Sequence, residues 1–238
     1  MTGISSFEQI SVGYQSVCAI ADTGEAYCWG SNGTGNLGDG STTNRNKPTA
    51  VTMPSGVSSF VEIVTGSSNT CAVGDNNKTY CWGINNYGQV GDGGASGSIV
   101  TTPTEVTMPS GVSTLTNLVD GGAVRCGMGD DSQIYCWGYG GFYGPTAQPT
   151  LEAMPAGVTA TYLTAGGEHI CAIGDDDAAY CWLVGGSGQI GDGNTANRLT
   201  PAAVNNTNYN PSTEITPANT CGECVPTGPE ATEIPFTI

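Results

Sequence analysis

Apolar and β-branched residues come in short runs that stop at glycine, and the runs return at a regular period. The first, Phe7-Glu-Gln-Ile-Ser-Val-Gly13, recurs as Phe60 to Gly66, Leu115 to Gly121 and Ala160 to Gly166, at offsets of 53, 55 and 45 residues. Each predicts a strand that ends in a turn. Next come Val17-Cys-Ala-Ile-Ala-Asp22, a turn at Thr23-Gly24, and Glu25-Ala-Tyr-Cys-Trp29, the pattern of a β-hairpin. The later hairpin turns, Asp75-Asn-Asn77, Asp130-Asp-Ser132 and Asp175-Asp-Asp177, use residues that tolerate left-handed backbone or bond their own main chain. A glycine-rich run at Gly30 to Gly40, matched by Gly83 to Gly93 and loosely by Gly185 to Gly193, predicts a tight loop with one apolar anchor: Leu37, Val90 or Ile190. A last strand is expected at Pro48 to Pro54, at Pro103 to Pro109 and, less strongly patterned, at Pro149 to Pro155.

The sharpest repeat is Ala26-Tyr-Cys-Trp-Gly30, which returns at Thr79 to Gly83, Ile134 to Gly138 and, with Leu183 as its last residue, Ala179 to Leu183. It holds all four Trp residues and four of the ten Cys, and a second Cys lies ten positions before each. An even spacing across a hairpin turn sets the two cysteines opposite each other on one face, within disulfide reach. The expected bonds are Cys18 to Cys28, Cys71 to Cys81, Cys126 to Cys136 and Cys171 to Cys181. Four strands per unit at this period describe a β-propeller blade. The predicted fold is all-β: four four-stranded blades, about 3–58, 59–113, 114–159 and 160–204, forming an incomplete or small ring.

The Tyr-Cys-Trp-Gly phrase followed by Asn32 to Gly40, and its variant at Asn85 to Gly93, resembles the regulator-of-chromosome-condensation repeat, in a cysteine-paired form similar to secreted bacterial and viral versions. The resemblance covers about residues 3 to 204 and implies a propeller, usually of seven blades, where this chain supplies four. The third copy departs from it, with Tyr139-Gly-Gly-Phe-Tyr-Gly-Pro145 in place of the Leu-Gly-Asp-Gly loop. Beyond Val204 lies a Pro-rich tail, 205–238, with Cys221-Gly-Glu-Cys224 and a terminal strand in which Ile234, Phe236 and Ile238 alternate. Pro235 confines that strand to an edge.

Composition narrows the function. Five Lys and Arg against 21 Asp and Glu give a formal charge of −16, which repels phosphate backbones and anionic lipid, so no nucleic acid is expected as a partner. No apolar window approaches the roughly 18 residues of a membrane span. Ten paired cysteines point to an oxidising, extracellular setting, although Met1 to Ile10 show no secretory signal.

Candidate chemistry is sparse. The four Trp residues are better explained as packing between blades than as a sugar-stacking platform, because they occur once per structural unit. His169 is the single histidine, and no nucleophilic pair can be built around it. Cysteines ten apart do not have the spacing of a zinc site. Asp39, Asp92 and Asp192 each stand alone in a loop, which favours bonding to their own turn over calcium. Cys221 and Cys224 fit a structural disulfide better than a redox pair. Asn32, Asn77 and Asn205 satisfy the glycosylation sequon. No catalytic residue, metal or cofactor is expected.

The resulting expectation is a non-catalytic structural or recognition module of an extracellular assembly, such as a virion appendage, surface filament or adhesin. It would self-associate through blade edges and the tail strand, with itself or other proteins of the assembly as partners. The alternative is a soluble propeller that binds a protein or glycan through its loops, as an enzyme inhibitor would.

Overall fold

The structure is a computed structural model that describes residues 4–94, 97–139 and 145–205, all within the first of two units, Met1–Asn205 and Asn206–Ile238. The expected tail strand with Ile234, Phe236 and Ile238, the pair Cys221 and Cys224, and most of the loop from Tyr139 to Pro145 lie outside the described residues.

Sixteen strands form four antiparallel sheets among the described residues, each with its strands in chain order. Blade 1 contains β1 (Phe7–Val12), β2 (Ser16–Ala21), β3 (Ala26–Gly30) and β4 (Arg45–Ala50). Blade 2 contains β5 (Phe60–Thr65), β6 (Asn69–Gly74), β7 (Thr79–Ile84) and β8 (Ile99–Glu105). Blade 3 contains β9 (Leu115–Gly121), β10 (Val124–Gly129), β11 (Ile134–Tyr139) and β12 (Pro145–Glu152). Blade 4 contains β13 (Ala160–Ala165), β14 (His169–Gly174), β15 (Ala179–Leu183) and β16 (Arg198–Ala203).

Hairpin turn chemistry sets the register of the two middle strands. Gly24, Asn77, Ser132 and Asp177 all take positive φ, at 80°, 63°, 63° and 62°. That conformation closes a tight turn whose twist matches the flanking strands. Each cysteine then faces its partner, Cys18 opposite Cys28 and likewise in every blade, with Cα atoms 4.1 Å apart and a disulfide between them. The third strand breaks register just after its Trp, at a residue with φ of 106° in Gly30, 111° in Gly83 and 96° in Gly138. Leu183 holds the same conformation in blade 4, at φ 83°, and its buried side chain packs into the core between blades 3 and 4. Burial offsets a backbone strain of about 1–3 kcal/mol there.

The fourth strands differ from the expectation. They start earlier and stop before the second proline, because Pro54, Pro109 and Pro155 each open a turn, closed by the N–H groups of Val57, Val112 and Val158. Blade 4 also has a fourth strand, β16, that no periodic apolar pattern announces. Pro48, Pro103, Pro149 and Pro201 sit inside these strands. Proline is tolerated there because an edge strand has one side with no ladder bond to lose.

The apolar clusters lie between blades. Cys18, Ile20, Cys28 and Leu37 of blade 1 pack on Phe60, Ile63 and Trp82 of blade 2. Cys71, Val73 and Val90 of blade 2 pack on Leu115, Leu118 and Trp137 of blade 3. Cys126 and Cys136 of blade 3 pack on Leu163, Ile170 and Trp182 of blade 4. Blades 2, 3 and 4 thus turn a front face to the preceding blade, and blades 1, 2 and 3 turn a back face, carrying the disulfide, to the next.

Each disulfide closes a short loop, so its removal returns conformational freedom to the unfolded chain. Replacing Cys71 and Cys81 together by Ala is expected to lower the unfolding free energy by about 2–3 kcal/mol in guanidinium titration. A loss below about 0.5 kcal/mol would show that packing alone holds the register.

Candidate functional site

The contact between successive blades is a repeated device built from the Trp of one blade and the glycine loop of the blade before it. Trp82 donates its indole N–H to the Asn36 carbonyl at 2.9 Å, and Trp137 donates to the Gln89 carbonyl at 3.1 Å. The glycine two residues on lies flat against the ring: a Cβ on Gly38 would stand 2.7 Å from Trp82 Nε1, and one on Gly91 2.9 Å from Trp137 Nε1. Further along the loop, the Gly40 N–H reaches the Thr101 carbonyl at 3.0 Å and the Gly93 N–H reaches the Ala147 carbonyl at 2.9 Å. First strands add a side chain that accepts a backbone N–H of the next blade. Gln9 receives Ile63 at 2.9 Å, Glu62 receives Leu118 at 2.5 Å, and Asn117 receives Leu163 at 2.8 Å.

Asparagine holds the loop in shape. The buried Asn32 accepts the Leu37 N–H at 2.9 Å and donates to the Ser41 and Thr43 carbonyls, and Asn85 likewise accepts from Val90 and donates to Gly94. Asn32 matches a sequon, but its amide is enclosed and fully engaged, so it is unavailable to a glycan. Asp39 accepts from Ser41 and pairs with Arg45 at 2.6 Å; Asp92 accepts from Gly94; Asp192 accepts from Asn194 and pairs with Arg198. These aspartates bond their own turns, and the two Arg partners were not legible from local sequence.

At blade 1 the front face has no covering blade among the described residues. Ile10 occupies the position of Ile63, Leu118 and Leu163; it is 63% exposed, and they are 2%, 6% and 0% exposed. Phe7 and Val12 are exposed beside it, and Trp29 is half-buried, whereas Trp82, Trp137 and Trp182 are fully enclosed. Blade 4 shows the converse at its back face. Ile173 is 40% exposed, against 4% for Ile20 and 2% for Val73 at the same position. Tyr162, in the place of Gln9, Glu62 and Asn117, points to solvent.

Two further features are internal. Between blades 2 and 3, Arg125 and Asp120 form a buried pair at 2.9 Å, and Arg125 also donates to Asn69 of blade 2 at 2.7 Å. Burial raises the Asp120 carboxyl and lowers the Arg125 guanidinium, and their mutual attraction opposes both shifts. Between blades 3 and 4 a cavity of about 410 Å³ is lined by Trp182, Leu183, Thr146, Thr150, Glu152 and Leu199. Burial pushes the Glu152 carboxyl up to about 7. His169 lies over Gly166 and does not line that cavity, and among the described residues no three His, Cys, Asp or Glu side chains gather as a metal site.

The Glu152 shift predicts a pH dependence of known sign. A carboxyl that titrates near 7 when folded and near 4.5 when unfolded holds its proton better in the native state, so stability falls as pH rises between those values. Glu152→Gln is expected to raise the melting midpoint at about pH 8 and to leave it unchanged near pH 4. Equal midpoints at the higher pH would show a fully solvated carboxylate.

The regulator of chromosome condensation (RCC1) repeat profile matches residues 23–73, and a second profile of the same repeat matches 7–36 and 60–89. Among curated proteins, the human E3 ubiquitin-protein ligase HERC2 is 31% identical over 135 residues, which is 52% of this chain and 3% of that protein. The Arabidopsis thaliana ultraviolet-B receptor UVR8 is 27% identical over 135 residues, 57% of this chain and 30% of the receptor. The chain thus spans less than a third of either relative. Among solved structures, human WBSCR16 superposes with a TM-score of 0.75 at 20% identity over 84% of this chain and 53% of its own. Yeast RCC1 (Prp20) in its complex with Kap60 gives 0.74 at 20% identity over 88% and 50%. Residues 7–89 carry RCC1-type repeats, and the four blades have the fold of RCC1-like propellers.

Proposed function

We propose that the chain is a non-catalytic structural or recognition module of an extracellular assembly, and that it associates with copies of itself through the blades at its two ends. The uncovered front face of blade 1 carries this reading: it keeps Phe7, Ile10 and Trp29, the residue types that the other blades bury against a neighbour. Contiguous exposed apolar surface of this kind marks an interaction site. Four disulfides fit an oxidising compartment. The strand expected from the sequence at Ile234, Phe236 and Ile238 would add a further element to the assembly. A virion appendage, a surface filament and an adhesin all fit these properties.

Related folds support protein binding as the general use. Yeast RCC1 (Prp20) is bound by Kap60, and Prp20p of Saccharomyces cerevisiae has binding properties toward Gsp1p and histones. A second reading, a propeller that takes a protein or glycan ligand at a pocket, draws on the cavity between blades 3 and 4.

Sedimentation velocity on the full-length chain tests the first reading. Concentration-dependent homomers are expected between about 1 and 100 μM, and Ile10→Arg is expected to reduce them to monomer without altering the circular dichroism. A wild-type chain that stays monomeric throughout overturns self-association and leaves the pocket as the functional surface.

A further inference from the structure

We propose that the uncovered front face of blade 1 and the uncovered back face of blade 4 are the two halves of one interface, so that blade 4 of one copy docks on blade 1 of a second copy. This deepens the self-association reading and rests on it, by naming which surface meets which.

The interfaces of blade 1 with blade 2 and of blade 2 with blade 3 are the template, and their parts have counterparts on the two end faces. The Gln189 carbonyl stands where Asn36 and Gln89 accept an indole, and the Trp29 of the second copy is the indole without a loop above it. Gly191 has the positive φ of Gly38 and Gly91, at 74° against 70° and 78°. Where those two glycines meet a Trp ring, the three nearest atoms to a Cβ on Gly191 all belong to Val204 of its own blade. Gly188, whose counterparts Gly35 and Gly88 press on the fourth strand of the next blade, has no atom within 4 Å of its Cβ position. The loop is nevertheless closed by the same turns, Gly188 N–H to Gly185 carbonyl and Gly191 N–H to Gly188 carbonyl, so it is already in the conformation that receives a ring.

The remaining contacts fall into place by the same correspondence. Asn46, in the position of Thr101 and Ala147, presents the carbonyl that the Gly193 N–H would reach. Ile173 and Cys171 of blade 4 supply the apolar surface that Ile20 and Cys18 supply to Phe60, Ile63 and Trp82, and Phe7, Ile10 and Trp29 are the matching acceptors. An unrelated partner would have to reproduce this glycine loop to fit blade 1 and a Trp-bearing sheet to fit blade 4. A second copy has both. Such a contact is heterologous, and it closes a ring or extends a filament according to the rotation between copies.

Two variants test the pairing, both at partly exposed positions: Ile10→Arg on the blade 1 face and Ile173→Arg on the blade 4 face. Measurements belong at about 0.15 M salt or above, where the Debye length of roughly 8 Å screens repulsion between acidic copies. Each variant alone is expected to be monomeric, at least about tenfold weaker in association than wild type, and an equimolar mixture is expected to form a dimer through the one pair of intact faces. Wild-type association is also expected to shift the Trp emission to the blue, and Trp29→Phe to remove that shift. A mixture that stays monomeric overturns the inference. If Ile10→Arg abolishes assembly and Ile173→Arg leaves it intact, blade 1 docks something other than blade 4, so the inference fails and the self-association reading stands. If both variants assemble as wild type does, that reading fails as well.

Discussion

The indole of one blade lying on the glycine loop of the blade before it is the contact on which this fold depends. A single four-stranded blade has two faces, and the apolar clusters show that both are core only when neighbours cover them. Stability therefore accrues per interface, as in other repeat arrays, and not per blade. Among the described residues the four blades make three interfaces and leave two faces without a covering blade. The disulfides act one level lower. By joining Cys18 to Cys28 and its counterparts, they hold the hairpin that carries each Trp in register before any neighbour arrives, a help to a two-stranded unit that is marginal in water.

Glycine in this loop is a requirement of the contact. Gly38 and Gly91 must lie within van der Waals reach of an aromatic ring while holding positive φ, and a Cβ at either position would collide with it. Among the described residues, a cavity lies beside Trp182 and Leu183 between blades 3 and 4. Glu152 reaches into this less tightly filled space, where the scarcity of solvent raises its carboxyl. The four-stranded order of the sheets on either side of the cavity is the same as in the other blades.

What was legible in the sequence was what happens inside a blade. The even cysteine spacing defined the register of each hairpin, and Gly24, Asn77, Ser132 and Asp177 mark turns whose left-handed backbone their residue types favour. The fourth strands were placed poorly because Arg45-Asn-Lys-Pro-Thr-Ala50 carries no apolar alternation; as an edge, it has little to bury. Between blades, the repeat pointed to packing of the Trp residues but not to their partners. Trp82 finds the Asn36 carbonyl 46 residues away, Arg125 finds Asn69 across 56, and neither pairing alters the pattern around either partner. The two uncovered faces were hidden for the same reason: Ile10 reads as one more buried strand residue, and only the absence of a covering blade among the described residues makes it a surface.

Edges and faces offer different routes to association, and the chain treats them differently. Every fourth strand contains a proline, and β4 adds Arg45 and Lys47, devices that discourage edge-to-edge strand addition. The charge of −16 adds a general repulsion between copies and keeps an exposed apolar face soluble. Weak, indiscriminate pairing is thereby suppressed at the sheet edges. The end faces carry no comparable barrier: their apolar residues, their glycine loop and their Trp remain in the arrangement that serves the internal interfaces. A contact with many matched parts can overcome a diffuse repulsion that a stray edge contact cannot, so under the proposed pairing this acidity would favour the docking of faces over that of edges.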